Sequence, residues 1–262
     1  RFRPAILNAL SGTSLPRLYV FDYADVAGGA ERHLGRARAF RARVPDLSRD
    51  SRWYEALALR AYLYPPIGAA FGLPGSFEMD RLRLQPRALA ALNERLSAAE
   101  GTPDFGRLLR LCGVTHVVAL HRGIPGTLPA ASLPSLFAEP VLLAQVEGAL
   151  PFAWVVGQAR RLSDEQALRL LGTAGFDPAR EALLAGSGPE MSAAPGFEGG
   201  AVLLARAAGH LELDARASAT GRPHAAYHAR AASARSSSGP SASRARGSSR
   251  SRAYSAFCSG LS

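Results

Sequence analysis

The sequence predicts a mixed α/β (α+β) fold: a soluble α/β domain, then an incomplete β-rich domain, then a disordered tail. Three observations carry this. Residues 104–123, DFGRLLRLCGVTHVVALHRG, read as an amphipathic helix, a glycine stop and a buried strand. Residues 163–166 open a further helix with a Ser-x-x-Gln capping box. Residues 211–216 place Leu211, Leu213 and Ala215 alternately with polar neighbours, the two-residue period of a half-buried strand.

Taken in order, residues 18–22 (LYVFD) form a first strand after Pro16, ending at Asp22 and Asp25. Gly28 and Gly29 open a helix to about Val44, with Leu34, Ala37, Phe40 and Val44 at helical spacing. Its five arginines (Arg32, Arg36, Arg38, Arg41, Arg43) read as a solvated face, since no aromatic residues interleave to stack on bases. Residues 53–64 are helical until Pro65 and Pro66 break them, and residues 68–80 are punctuated as a loop. Pro86 then starts a helix with Leu89, Leu92 and Leu96 on one face and Gly101 as its stop.

The 104–123 unit follows. Thr102 stands at the N-cap position, Pro103 at the first helical position and Asp104 against the positive helix end. Leu108, Leu109 and Leu111 supply the apolar face, and Gly113 takes the left-handed turn that ends the helix. Residues 114–120 are β-rich, with only Thr115 and His116 polar, as in a strand covered on both faces.

A proline-rich connection spans residues 123–140. Residues 141–146 and 152–156 read as an antiparallel pair joined by the turn-like EGALP. After the capping box, Leu168, Leu170 and Leu171 continue a helix that fails by Gly172 or Gly175, and Phe176-Asp177-Pro178 marks the exit. Residues 181–184, 201–205 and 211–216 complete the strands. The domain reading is therefore a mixed α/β domain over residues 1–160, a helix plus the start of a β-rich domain over 161–220, and a tail over 221–262.

Composition bounds what such a chain does. With 47% apolar residues the first 220 positions can build a sizeable core. The net charge of +10 suggests nucleic acid, but its distribution argues otherwise. Residues 221–262 hold seven arginines and no acid; the rest carries 24 arginines against 21 acidic residues, a net +3. No nucleic-acid partner is expected. The tail lacks the apolar periodicity that offsets chain entropy, so it reads either as disordered or as a GC-rich message translated out of frame from about Thr220. No apolar run of roughly 18 residues spans a bilayer, and Arg1 in place of a methionine suggests a fragment.

No nucleophile elbow, phosphate-binding glycine loop or zinc signature is present; Gly186-Ser187-Gly188 lacks the elbow spacing. Cys112, before the glycine stop, reads as a small buried apolar residue, and no metal or cofactor is expected. Four polar residues remain as candidates. Asp22 and Asp25 follow the first strand, where α/β proteins place carboxylates and where capping residues also sit. His116 and His121 flank the central strand and could serve as general base or simply hydrogen-bond.

The order of three segments resembles the soluble C-terminal region of YfhO-like bacterial membrane proteins, a group related to the GT-C glycosyltransferases. They are FGLPGSFEMDRLRLQPRALAALNERL, FGRLLRLCGVTHVVAL and VLLAQVEGALPFAWVVGQARRLSDEQALRLLGTAGFDPAREALL, all within residues 60–216. The resemblance implies an extracytoplasmic domain of a polytopic membrane protein whose transmembrane helices precede Arg1. It also implies a polyprenyl-phosphate-linked sugar and an envelope glycan acceptor as partners. The catalytic acid of GT-C enzymes lies in an early loop between membrane helices, so no catalytic residue carries over to this chain. The family continues into a β-rich segment where this chain turns to Ser, Ala and Arg after Thr220. The competing expectation is a free-standing soluble α/β enzyme using Asp22, Asp25 or His121 at strand ends.

Overall fold

The structure, a computed structural model, describes residues 2–13, 15–21, 23, 43, 51–64, 67–73, 77, 87–171, 173, 175–184, 190, 192, 196–207, 210–217 and 233–236. The expected helix from Gly28, the candidates Asp22 and Asp25, and Gly186-Ser187-Gly188 lie outside these residues.

The first part of the chain contains α1 (Ala5–Ala9), β1 (Leu18–Val20), α2 (Ser51–Tyr62), a 3-10 turn (Ile67–Phe71), α3 (Arg87–Ala99), α4 (Pro103–Leu111) and β2 (His116–Ala119). β3 (Ala130–Leu133) and β4 (Val141–Gln145) complete a four-stranded sheet ordered β1-β2-β4-β3. β1 and β2 are parallel, with Leu18, Tyr19 and Val20 opposite His116, Val117 and Val118. β4 runs antiparallel to both β2 and β3. A parallel pair needs a long crossover, and the helices α2, α3 and α4 lie within it in the chain.

The core follows from the apolar spacing. Leu89, Leu92 and Leu96 are all buried on α3, as their i, i+3, i+7 spacing dictates. Phe105, Leu108 and Leu109 bury one face of α4, and Cys112 is buried with them. Leu92, Leu96 and the α4 side chains meet Val117, Val118 and Ala119 of β2 and Val141, Leu143 and Ala144 of β4 in one cluster. Gly113 ends α4 with φ +64°, the left-handed conformation expected there.

Beyond this sheet, β5 (Gln158–Arg161), α5 (Asp164–Leu171) and β6 (Glu181–Leu184) follow, with β5 and β6 paired in parallel. The capping box is made: Gln166 N–H donates to Ser163 Oγ at 3.3 Å and Ser163 N–H to Gln166 Oε1 at 3.0 Å. Asp177 accepts the Ala179 N–H at 3.0 Å, turning the chain after Phe176. β7 (Gly199–Ala207) and β8 (His210–Ala217) then form an antiparallel hairpin.

Four expectations are corrected. Thr102 occupies the N-cap position of α4, but its hydroxyl donates back to the Ala99 carbonyl at 2.6 Å and does not cap. Residues 152–156 are not a strand. Ala153, Val155 and Val156 are buried by side-chain packing, and the antiparallel partners of β4 are β2 and β3. β3 lies inside the proline-rich connection, where no strand was expected, between Pro129 and Pro134. Within the tail, Ser233–Ser236 forms β9, paired parallel to β8.

Candidate functional site

Parallel strands end at the same edge of a sheet, and at such an edge open α/β folds gather their ligand-binding groups. Here that edge is the exit of β1 and β2. Tyr23, just past β1, and His121, just past β2, meet there with Tyr23 Oη 2.8 Å from His121 Nδ1. The same hydroxyl oxygen accepts the Leu120 N–H at 2.7 Å. Burial pushes the Tyr23 phenol well above its ordinary range, so it stays protonated and is the natural donor to Nδ1. A donor at Nδ1 places the neutral imidazole's proton on Nε2.

Aromatic packing fixes this pair. The Phe21 ring stands 4.6 Å from Tyr23 and 5.8 Å from His121, both edge-on. Tyr62, near the end of α2, is fully buried, and its one hydroxyl proton is shared between the carbonyls of Val118 at 3.0 Å and Phe21 at 3.2 Å. α2 is thereby tied to the ends of both parallel strands, holding them in register where Tyr23 and His121 emerge.

A carboxyl completes the cluster. Glu100 follows α3 directly and accepts a hydrogen bond from the Tyr19 hydroxyl of β1. Burial raises the Glu100 carboxyl to about 7, with the Tyr19 bond pulling the other way. The Glu100 charge in turn raises Tyr23 further, a coupling of the two groups. The Tyr19 ring packs edge-on against Phe105 of α4 at 5.2 Å, which orients its hydroxyl towards the α3–α4 corner.

Of the four candidates read from the sequence, the two that are described, His116 and His121, do not share a site. His121 belongs to the cluster. His116 sits at the opposite end of β2, five residues or about 16 Å of strand away. There its Nδ1 lies 3.0 Å from Thr115 Oγ1, and burial lowers its pKa. Sequence reasoning missed Tyr19, Tyr23, Tyr62 and Glu100. The alternation Tyr19, Phe21, Tyr23 carried a signal that the first strand's face extends past Asp22; Glu100 carried none beyond its place before Gly101.

Chemically, the cluster offers a phenol, an imidazole and a carboxyl that is neutral below about pH 7. The rings of Tyr19, Phe21, Tyr23 and Tyr62 are themselves buried, so what the set can offer a ligand at this edge is hydrogen bonding to uncharged hydroxyls from the carboxyl and the imidazole. Among the described residues no group of three or more His, Cys, Asp or Glu side chains is placed to hold a metal ion. No described helix is long and apolar enough to cross a membrane. No protein-family model, curated protein or solved structure matches the chain.

Proposed function

We propose that this chain is the extracytoplasmic, non-catalytic domain of a YfhO-like, GT-C-related membrane glycosyltransferase, positioning an envelope glycan acceptor for a polyprenyl-phosphate-linked sugar. The observation that carries the reading is the succession of elements. α3, α4 with β2, β4, α5 and β6 follow one another in the order of the segments on which the resemblance rests. The capped α5 and the Asp177 turn sit at its helix and Phe-Asp-Pro positions. His121 and Glu100 supply hydrogen-bonding groups, the chemistry that recognises sugar hydroxyls.

The test is made on the complete gene product that contains this chain. Cell fractionation and protease added to intact spheroplasts report its location. The reading expects the product in the membrane fraction, with residues 1–220 cut from outside and glycan transfer lost when they are deleted. A product found in the soluble cell extract overturns it.

A second reading has its own observation. The Tyr23–His121 pair lies at the C-terminal ends of parallel strands, where a phenol-anchored neutral imidazole, protonated on Nε2, can act as a hydrogen-bond donor to substrate in a free-standing α/β enzyme. That reading expects the soluble fraction, so the same fractionation separates the two.

A further inference from the structure

We propose that the edge of β8 turned away from β7 is a strand-accepting site for an extended segment in which small residues alternate with polar or basic ones, and that β9 fills it as a displaceable plug. In the sheet order β7-β8-β9, β9 runs parallel to β8 and covers only Glu212 to Ala215 of the longer strand. β9 is four residues long, Ser-Ala-Arg-Ser, and its only apolar residue is Ala234. Backbone pairing, not apolar burial, is therefore what it brings to the edge. Residues 218–232 link the two strands, more than the dozen or so residues that a parallel connection needs. The segment has the reach to leave the edge and return.

The chemistry of the site is set by β8. Leu213 and Ala215 are buried, and Glu212 and Asp214 alternate with them on the other face. That face looks to solvent: Val202, opposite Asp214 on β7, is 62% exposed, and the Asp214 carboxylate meets the exposed Arg216 at 3.0 Å. A strand added along this edge sets every second residue beside the two carboxylates and the residues between beside the buried face. It is selected for polar or basic residues at the first positions and small ones at the second. The register has this form. Ser233 stands opposite Glu212, Ala234 opposite Leu213, Arg235 opposite Asp214 and Ser236 opposite Ala215. The donor's charge matches as well, since residues 221–262 hold seven arginines and no acid. The site rests on this pairing and not on the glycan reading.

The experiment is fluorescence anisotropy of a labelled synthetic peptide of residues 229–239, titrated with the full chain and with the full-length double variant Ser233→Pro, Ala234→Pro. Adjacent residues of a strand point their N–H groups to opposite edges, so one of the two prolines removes a ladder bond and opens β8. The opened variant should bind the peptide at least about tenfold more tightly than the wild type, where the tethered segment competes at about millimolar effective concentration. Adding Asp214→Arg to the opened variant should weaken binding about tenfold, and a peptide carrying Arg235→Glu should recover it. Equal binding to wild type and opened variant, no binding to either, or binding that does not follow the charge pairing of 214 with 235 overturns the proposal. Should Asp214→Arg fail to fold, the Arg235→Glu peptide decides on the opened chain with Asp214 in place. It must bind about tenfold more weakly than the native peptide, and equal affinity overturns the site.

Discussion

The guanidinium of Arg17 fills the space that a side chain on Gly113 would need. Arg17, just before β1, is buried, donates to the Leu150 carbonyl at 2.5 Å and lies 5.8 Å over the Phe152 ring. Gly113 follows α4, so the cation stands at a helix C-terminus, where unsatisfied carbonyls and the dipole favour positive charge. One buried side chain thus joins the start of β1, the end of α4 and the segment after β4.

This arrangement predicts an unusually costly glycine substitution. Gly113→Ala combines a left-handed backbone with displacement of the buried guanidinium, and should destabilise by about 2–4 kcal/mol in urea unfolding. Gly12→Ala is the control. Its φ is +100° but nothing lies within 4 Å of the added Cβ, so only the backbone strain of about 1–2 kcal/mol applies. Equal losses at the two positions would show that Arg17 yields without penalty.

The two helix starts differ in a way that stability measurements resolve. Ser163→Ala removes a working cap from α5 and should cost about 1 kcal/mol. Thr102→Ala removes only an exposed hydroxyl bonded to Ala99, and should change stability by less than about 0.5 kcal/mol. A loss at Thr102 as large as that at Ser163 would contradict the observed geometry.

Tyr23→Phe removes the oxygen shared by the Leu120 N–H and His121 Nδ1. Leaving that buried N–H unsatisfied should cost about 1–3 kcal/mol. The imidazole should respond as well. Nitrogen NMR of His121 should show a single Nε2–H tautomer in the wild type and a mixture in the variant. An unchanged tautomer would mean that Tyr23 does not set the ring's proton.

These relationships mark where the sequence was informative. Leu89, Leu92 and Leu96, the Ser163–Gln166 box and Gly113 act within one or two turns of chain, so periodicity and capping chemistry reveal them. β3 hid because it is a four-residue, half-exposed strand between two prolines, with no alternation to announce it. Residues 152–156 misled in the opposite direction: an apolar run signals burial, and burial there comes from packing without a ladder. The cluster lay further out of reach. Tyr23 meets His121 across 98 residues and Tyr19 meets Glu100 across 81, and only the parallel pairing of β1 with β2 and the packing of α3 bring them together.

The stability of the fold should depend on pH through two groups that act in opposite senses. Glu100 is raised by burial from an ordinary 4.5 to about 7, so the folded state binds its proton more tightly than the unfolded chain. Its contribution is fully present below about pH 4.5, declines as pH rises and is gone above about 7. His116 is lowered from 6.5 by burial, so the folded state binds that proton less tightly, and stability is lost as pH falls below 6.5. The wild type therefore conceals two slopes that partly cancel between them. Chemical denaturation of the variants at pH 5 and pH 7.5 separates them. Glu100→Gln should raise stability at pH 7.5 relative to pH 5 by about 1–3 kcal/mol compared with wild type. His116→Gln should do the reverse, raising stability at pH 5 relative to pH 7.5. If both variants keep the wild-type difference between the two pH values, neither buried group controls the folding equilibrium.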